Sequence, residues 1–112
     1  MDDFSISRII SGDVAVVTVA GRVDSFTAAT LDAELAKIVQ ENKKLVLDLK
    51  DMAYLSSAGV RAIMRALQTA QRSGGGVKLA RVPALVDEVL QTVGVMQILE
   101  AHPSVDEAVA AF

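Results

Sequence analysis

Apolar and polar residues alternate along this chain at two different periods, and the places where the period changes mark out its elements. Phe4, Ile6, Arg8 and Ile10 alternate with Ser5, Ser7 and Ile9, the period of two expected for a strand with one partly wet face. Ser11-Gly12-Asp13 supplies turn chemistry, and the β-branched run from Val14 to Ala20 follows. This stretch predicts a β-hairpin, with Gly21 breaking its second strand. From Thr27 to Gln40 the period becomes helical, with Leu31, Leu35, Ile38 and Val39 on one side. Lys44 to Leu49 predicts a compact strand with Leu45, Leu47 and Leu49 on one face and Val46 on the other. A strand apolar on both faces is expected to be central and covered by helices.

Val60, Ile63, Met64 and Leu67 mark the buried stripe of a second helix, ended by Gly74-Gly75-Gly76. Val77 to Val82 predicts a further strand. Pro83 suits the first turn of a third helix, whose apolar side holds Leu85, Val86, Val89, Leu90 and Val93 and which Gly94 closes. Val95 to Leu99 reads as a short extended piece. Ser104, with Glu107 three residues on, has the spacing of a capping box for a last short helix. The order predicts an α/β fold: a small mixed sheet of four to five strands packed with about four helices, joined by right-handed crossovers.

Composition narrows the function. The chain has 112 residues, the size of a single domain with one core, 1–112. It has no cysteine, which excludes thiol catalysis and thiolate metal sites. His102 is the lone histidine and no acidic pair accompanies it at ligand spacing, so no metal and no cofactor are expected; it reads as a solvent-facing loop residue before Pro103. A net charge of −3 with 4% aromatic residues argues against nucleic acid as a partner. No apolar run is long enough to cross a bilayer. The acidic start MDDFSISRII lacks the basic region of a signal peptide. A soluble, cytoplasmic protein, monomeric when free, is the expectation.

The candidate chemistry lies where strand pattern gives way to helix, at Asp51-Met-Ala-Tyr-Leu-Ser-Ser-Ala-Gly-Val60. A serine at the start of the second helix, near Ser57, meets backbone N–H groups that have no partner within the helix. One reading is a helix cap, serine being a favoured N-cap residue. A second uses the same geometry: a phosphate on Ser57 would sit at the positive end of the helix and leave the fold intact. Gly59 removes a side chain near that end and would ease a partner's approach. Arg61, Arg65, Gln68 and Arg72 recur at helical spacing opposite the apolar stripe, so a basic face begins at the serine. A hydrolase nucleophile is not supported. The G-x-S-x-G elbow is absent, His102 is the only candidate base, and Lys43, Lys44 and Lys50 read as surface residues rather than a buried catalytic lysine.

Taken in order, these residues resemble the STAS domain family, and within it the bacterial anti-sigma factor antagonists. Gly21-Arg-Val-Asp24 with Thr27 and Leu31 looks like the family's G-x-[LV]-D-x-x-[TS] lead-in to the first helix. Leu47-Asp-Leu-Lys-Asp51 followed by Leu55-Ser-Ser-Ala-Gly59 looks like its central strand and phosphorylation loop. Gly75-Gly76, Val77 to Ala80, Pro83, Val86, Leu90, Gly94 and Glu107-Ala108 complete the match over nearly the whole chain.

The resemblance implies a non-enzymatic partner switch. The unmodified antagonist would bind an anti-sigma factor that is also a GHKL-type serine kinase, releasing the sigma factor. Phosphorylation of one serine would abolish binding, and a PP2C-type phosphatase would restore it. The family's phosphorylated serine falls on Ser57, with Ser56 as second choice, because the aspartate that precedes it in the family is replaced here by Ser56. The implied partner-binding set is Asp24, Ser56, Ser57, Ala58, Gly59, Arg61 and Arg65. Asp24 reads equally as a contact beside the serine and as a cap of the first helix. A phosphate near Asp24, Asp48 and Asp51 would make this surface more negative. Two other classes remain open: a non-switching STAS scaffold subunit, for example of a lipid-transport ABC complex, and a ligand-sensing STAS module.

Overall fold

The structure, a computed structural model, describes residues 3–112. Strands β1 (Ser5–Ser11) and β2 (Val14–Val23) form the expected antiparallel hairpin. Helix α1 (Thr27–Glu41) leads to β3 (Lys44–Asp48), which joins β2 in parallel. Then come β4 (Met52–Leu55), α2 (Ser57–Arg72), β5 (Gly76–Ala80), α3 (Ala84–Val93), a 3-10 turn at Val95–Gln97, β6 (Glu100–His102) and α4 (Val105–Ala110). The mixed sheet has six strands in the order β1-β2-β3-β5-β6, with β4 paired to β2.

The central strand behaves as its pattern requires. Leu45 and Leu47 are fully buried in the main core beneath α1 and α2, together with Leu31, Leu35, Ile63 and Leu79. Val46 points to the opposite face, where Val14, Val16, Ala80 and Ala108 form a second, smaller cluster under α4. Ser104 caps α4 as its spacing predicts, its Oγ accepting from the Glu107 N–H at 3.1 Å.

Four expectations change. Gly21 does not end β2 but redirects it. At φ 85° and beside a register shift, it lets β2 leave β3 after Thr18 and pair with β4 from Gly21 to Val23. Any side chain at Gly21 would collide with the Asp3 carbonyl, so only glycine fits this bend. The partner strand, β4, lies inside the segment read as a strand-to-helix joint. On α3, only Val86 and Leu90 are buried, whereas Leu85 and Val93 are 59% and 50% exposed; the apolar stripe is wider than the surface it covers. Finally, Val95–Gln97 coils into a 3-10 turn and the extended piece falls later, at β6. His102 therefore lies in a strand, largely covered, with Nε2 2.8 Å from Glu100 Oε1.

Beyond β5 the chain turns sharply. Arg81 adopts φ 53° and forms a two-pronged ion pair with Asp48, the one charged residue buried among those described. The paired carboxylate holds the guanidinium even more firmly protonated than usual, against a smaller opposing effect of burial. The same pairing sets an opposite charge against the buried Asp48 carboxylate.

Candidate functional site

The register of β2 and β4 brings the candidate residues together. Val23 pairs with Leu55, and the next residue of each strand, Asp24 and Ser56, leads into α1 and α2 respectively. The Ser56 N–H donates to the Val23 carbonyl at 2.8 Å, tying the two loops side by side. Two helix N-termini therefore open on one end of the sheet.

Their caps differ in construction. Asp24 Oδ1 accepts from the N–H groups of Phe26 and Thr27, both at 2.9 Å, and Thr27 Oγ1 accepts from the Asp24 N–H at 2.9 Å. This reciprocal arrangement is a capping box. The Thr27 N–H chiefly, aided by Phe26, the Thr27 hydroxyl and the nearby Arg22, holds the Asp24 carboxyl below its ordinary pKa against the opposing effect of burial. The capping reading of Asp24 thus has direct geometric support, and its position beside the serine loop holds as well.

At α2 the cap is Ser56, not Ser57. Ser56 is extended (φ −85°, ψ 166°) and its Oγ accepts from the Gly59 N–H at 3.2 Å. Ser57 is the first helical residue, and it is exposed. The expectation that Ser57 caps the helix is corrected by one position, because the backbone leaves its extended conformation only after Ser56.

Gly59 also differs from its expected role. It is buried, and a Cβ there would lie 2.6 Å from both Leu55 Cδ1 and Val23 Cγ1. It faces inward, letting α2 sit closely on β2 and β4, and offers no surface to a partner. Ala58 is half-buried, and Arg61 and Arg65 are exposed. With Ser25, Ala28, Ala29 and Asp32 they line a shallow groove of about 250 Å³ between α1 and α2. Arg65 spans the groove to Asp32 at 3.1 Å. Arg61 makes no ion pair among the described residues. Asp48, paired and buried, adds no free charge to this surface, contrary to expectation; Asp51 is exposed.

The pattern missed Phe26, which is 86% exposed at the α1 cap. A large apolar residue inside the capping segment Asp24-Ser-Phe-Thr27, where the chain must face water, was the available signal. Among the described residues no group of three His, Asp or Glu could hold a metal ion. No helix among the described residues is long and apolar enough to cross a membrane.

The chain is similar to known proteins in sequence and in fold. The chain is 33% identical to BtrV of Bordetella bronchiseptica, a candidate anti-sigma factor antagonist, over 87% of this chain and 84% of that one. Its fold is similar to the crystal structure of an anti-sigma factor antagonist from Mycobacterium paratuberculosis, with a TM-score of 0.88 at 22% identity, covering 98% and 94% of the two chains. It is also similar to the phosphorylated form of the Bacillus cell fate determinant SpoIIAA, with a TM-score of 0.72 at 14% identity, covering 97% and 98%. Residues 5–108 match the STAS domain, and the chain belongs to that family.

Proposed function

We propose that this protein is an anti-sigma factor antagonist working by partner switching, with Ser57 as the residue that is modified. The unphosphorylated form binds an anti-sigma factor that is also a GHKL-type serine kinase. Phosphate on Ser57 ends that binding, and a PP2C-type phosphatase restores it. The protein acts as a binding regulator, not an enzyme. The similarity to antagonists, one of them known in a phosphorylated form, supports this reading.

The observation that carries the choice of Ser57 is the division of labour at α2. Ser56 supplies the cap, half-buried and bonded to Gly59, while Ser57 stands exposed one residue later. A kinase can reach Ser57 without dismantling the helix start. Its phosphate would add about −1.5 to −2 charge at neutral pH, placed where the helix dipole favours an anion. The scaffold tolerates the group; an acidic or apolar partner surface pressed against the serine does not. Arg61, one turn on and without a carboxylate partner among the described residues, would draw the phosphate and so be withdrawn from the partner.

The test uses the kinase and ATP. Phosphate should appear on the tryptic peptide containing Ser56 and Ser57, and Ser57→Ala should abolish it while Ser56→Ala does not. Ser57→Asp should lose binding to the anti-sigma factor. Undiminished binding by Ser57→Asp, or phosphate confined to Ser56, refutes the assignment.

A further inference from the structure

The two edges of the sheet are built differently, and one of them is open. β6 is three residues long, and its Glu100 is engaged by Lys78 Nζ at 2.8 Å and by His102. Short, charged edges resist pairing with another strand. β1 is seven residues long, reads Ser-Ile-Ser-Arg-Ile-Ile-Ser, and has neither proline nor lysine. Among the described residues no strand covers its outer side. Its single charge, Arg8, is drawn back over the helix layer to Glu41 at 2.6 Å. Ile9 and Ile10, on opposite faces, are 68% and 57% exposed.

The hairpin turn fixes which backbone groups face outward. Ser11 pairs with Val14 across a two-residue loop, and Gly12 alone in that loop has positive φ, at 64°, as in a type II′ turn. Such a loop makes Ser11 and Val14 a hydrogen-bonded pair, so the odd residues of β1 bond β2. Ile6, Arg8 and Ile10 then turn their N–H and C=O groups to the open edge. That row suits an antiparallel strand.

We propose that β1 is a self-association edge, pairing with β1 of a second copy of this chain about a two-fold axis at Arg8. The occupant is argued from the strand itself, since Ser5–Ser11 reads nearly the same in both directions about Arg8. Antiparallel self-pairing sets Ser5 opposite Ser11, Ile6 opposite Ile10 and Ser7 opposite Ile9 of the second copy. The two facing arginines each keep Glu41, which offsets their repulsion. A pairing of this length buries on the order of 1,000 Å², the low end for a specific interface. The dimer therefore forms reversibly at high concentration, and the dilute protein is the monomer expected from the sequence. Pairing leaves the serine site open, because β4 and β1 lie on opposite sides of β2.

Sedimentation velocity over a dilution series from about 1 mM to about 10 μM, a range suited to an interface of this size, tests the proposal. The mass should rise with concentration from 11.8 kDa toward twice that value. Ile10→Pro removes one outward N–H without touching the β1–β2 ladder and should weaken association at least about tenfold. Ile9→Lys, a milder change on the edge, should weaken it in the same direction. Circular dichroism confirms that each variant stays folded. Because the chain has no cysteine, Ser7→Cys mixed with Ile9→Cys should cross-link under mild oxidation more than either variant alone. A mass fixed at 11.8 kDa, association unaffected by both edge variants, or no excess cross-linking in the mixture overturns the proposal.

Discussion

The starts of α1 and α2 solve the same problem with different margins. Both follow a strand, both open on the same end of the sheet, and each must satisfy backbone N–H groups that its helix cannot. At α1 the solution draws on two side chains that depend on each other. Asp24 accepts from two backbone N–H groups, and the Thr27 hydroxyl accepts from the Asp24 N–H while donating to the Arg22 carbonyl. At α2 a single hydroxyl, that of Ser56, does the capping, and a second hydroxyl follows at once on the surface. A side chain that the scaffold needs makes a poor switch, since modifying it would disturb the fold. The Ser57 hydroxyl at α2 can change without that cost, whereas the Asp24 and Thr27 groups that cap α1 cannot.

The comparison breaks most readily at Gly59. This residue lets α2 approach β2 and β4 closely enough for Ser56 to stand beside Asp24. Gly59→Val would place its Cβ 2.6 Å from Leu55 Cδ1 and Val23 Cγ1 and add further carbons beyond. Overpacking of this kind costs about 1–3 kcal/mol, occasionally more, and we expect it to be the largest loss of stability in the set. Urea denaturation measures it. A midpoint equal to wild type would mean that α2 is not held by this contact.

Asp24→Ala comes next, because it removes the acceptor of two N–H groups together. It also carries a pH signature. The Asp24 pKa is lowered in the folded state, so its contribution is fully present above the unfolded carboxyl pKa of about 3.9. It is lost as pH falls through the lower folded value. Wild type should therefore lose stability over that acid window more steeply than Asp24→Ala, and the two should run parallel near neutral pH with the variant lower. Thermal melts across the acid range check this; equal acid slopes would show that the carboxylate is not the capping group.

How much of this was legible beforehand follows from how each signal arises. The hairpin, α1, β3 and α2 could be read because their burial is one-sided or complete, and burial writes a period into the residues. The Ser104 cap could be read because it is local. β4 could not: Met52-Ala-Tyr-Leu55 is four residues in a segment that also had to hold a helix start. β6 lies at an edge, where Glu100 and His102 need no hydrophobic pattern. Gly59 could have been placed correctly. It lies four residues before Ile63, on the same helical face, so its burial follows from the period already in hand. The pairing of Asp48 with Arg81 is a product of tertiary structure, since nothing local joins residues thirty-three apart. At the site, the family resemblance pointed to Ser57, but only the backbone conformation shows that Ser56 takes the cap.

Ser56→Ala sharpens the comparison from the other helix. Loss of a serine N-cap costs about 1 kcal/mol. We expect that loss here, because Ser56 Oγ accepts from the Gly59 N–H. Modification of Ser57 should continue in this variant. A loss of phosphate together with the stability would show that the cap also presents the neighbouring hydroxyl, and that the two roles are not separable.

The smallest effect expected is the most informative. Ser57→Ala removes an exposed hydroxyl from the first position of α2, where alanine is at least as good a helix former. Surface changes of this kind stay within about ±0.5 kcal/mol, so the denaturation midpoint should not move measurably. Binding to the anti-sigma factor should persist and become insensitive to ATP. Both halves must hold. If stability falls by as much as in Ser56→Ala, the two hydroxyls share the cap and the spare group at α2 does not exist. If stability holds but ATP still dissociates the complex, the hydroxyl is spare yet unused, and control lies elsewhere on the surface. Only an unchanged fold with a lost response marks a residue kept for signalling alone.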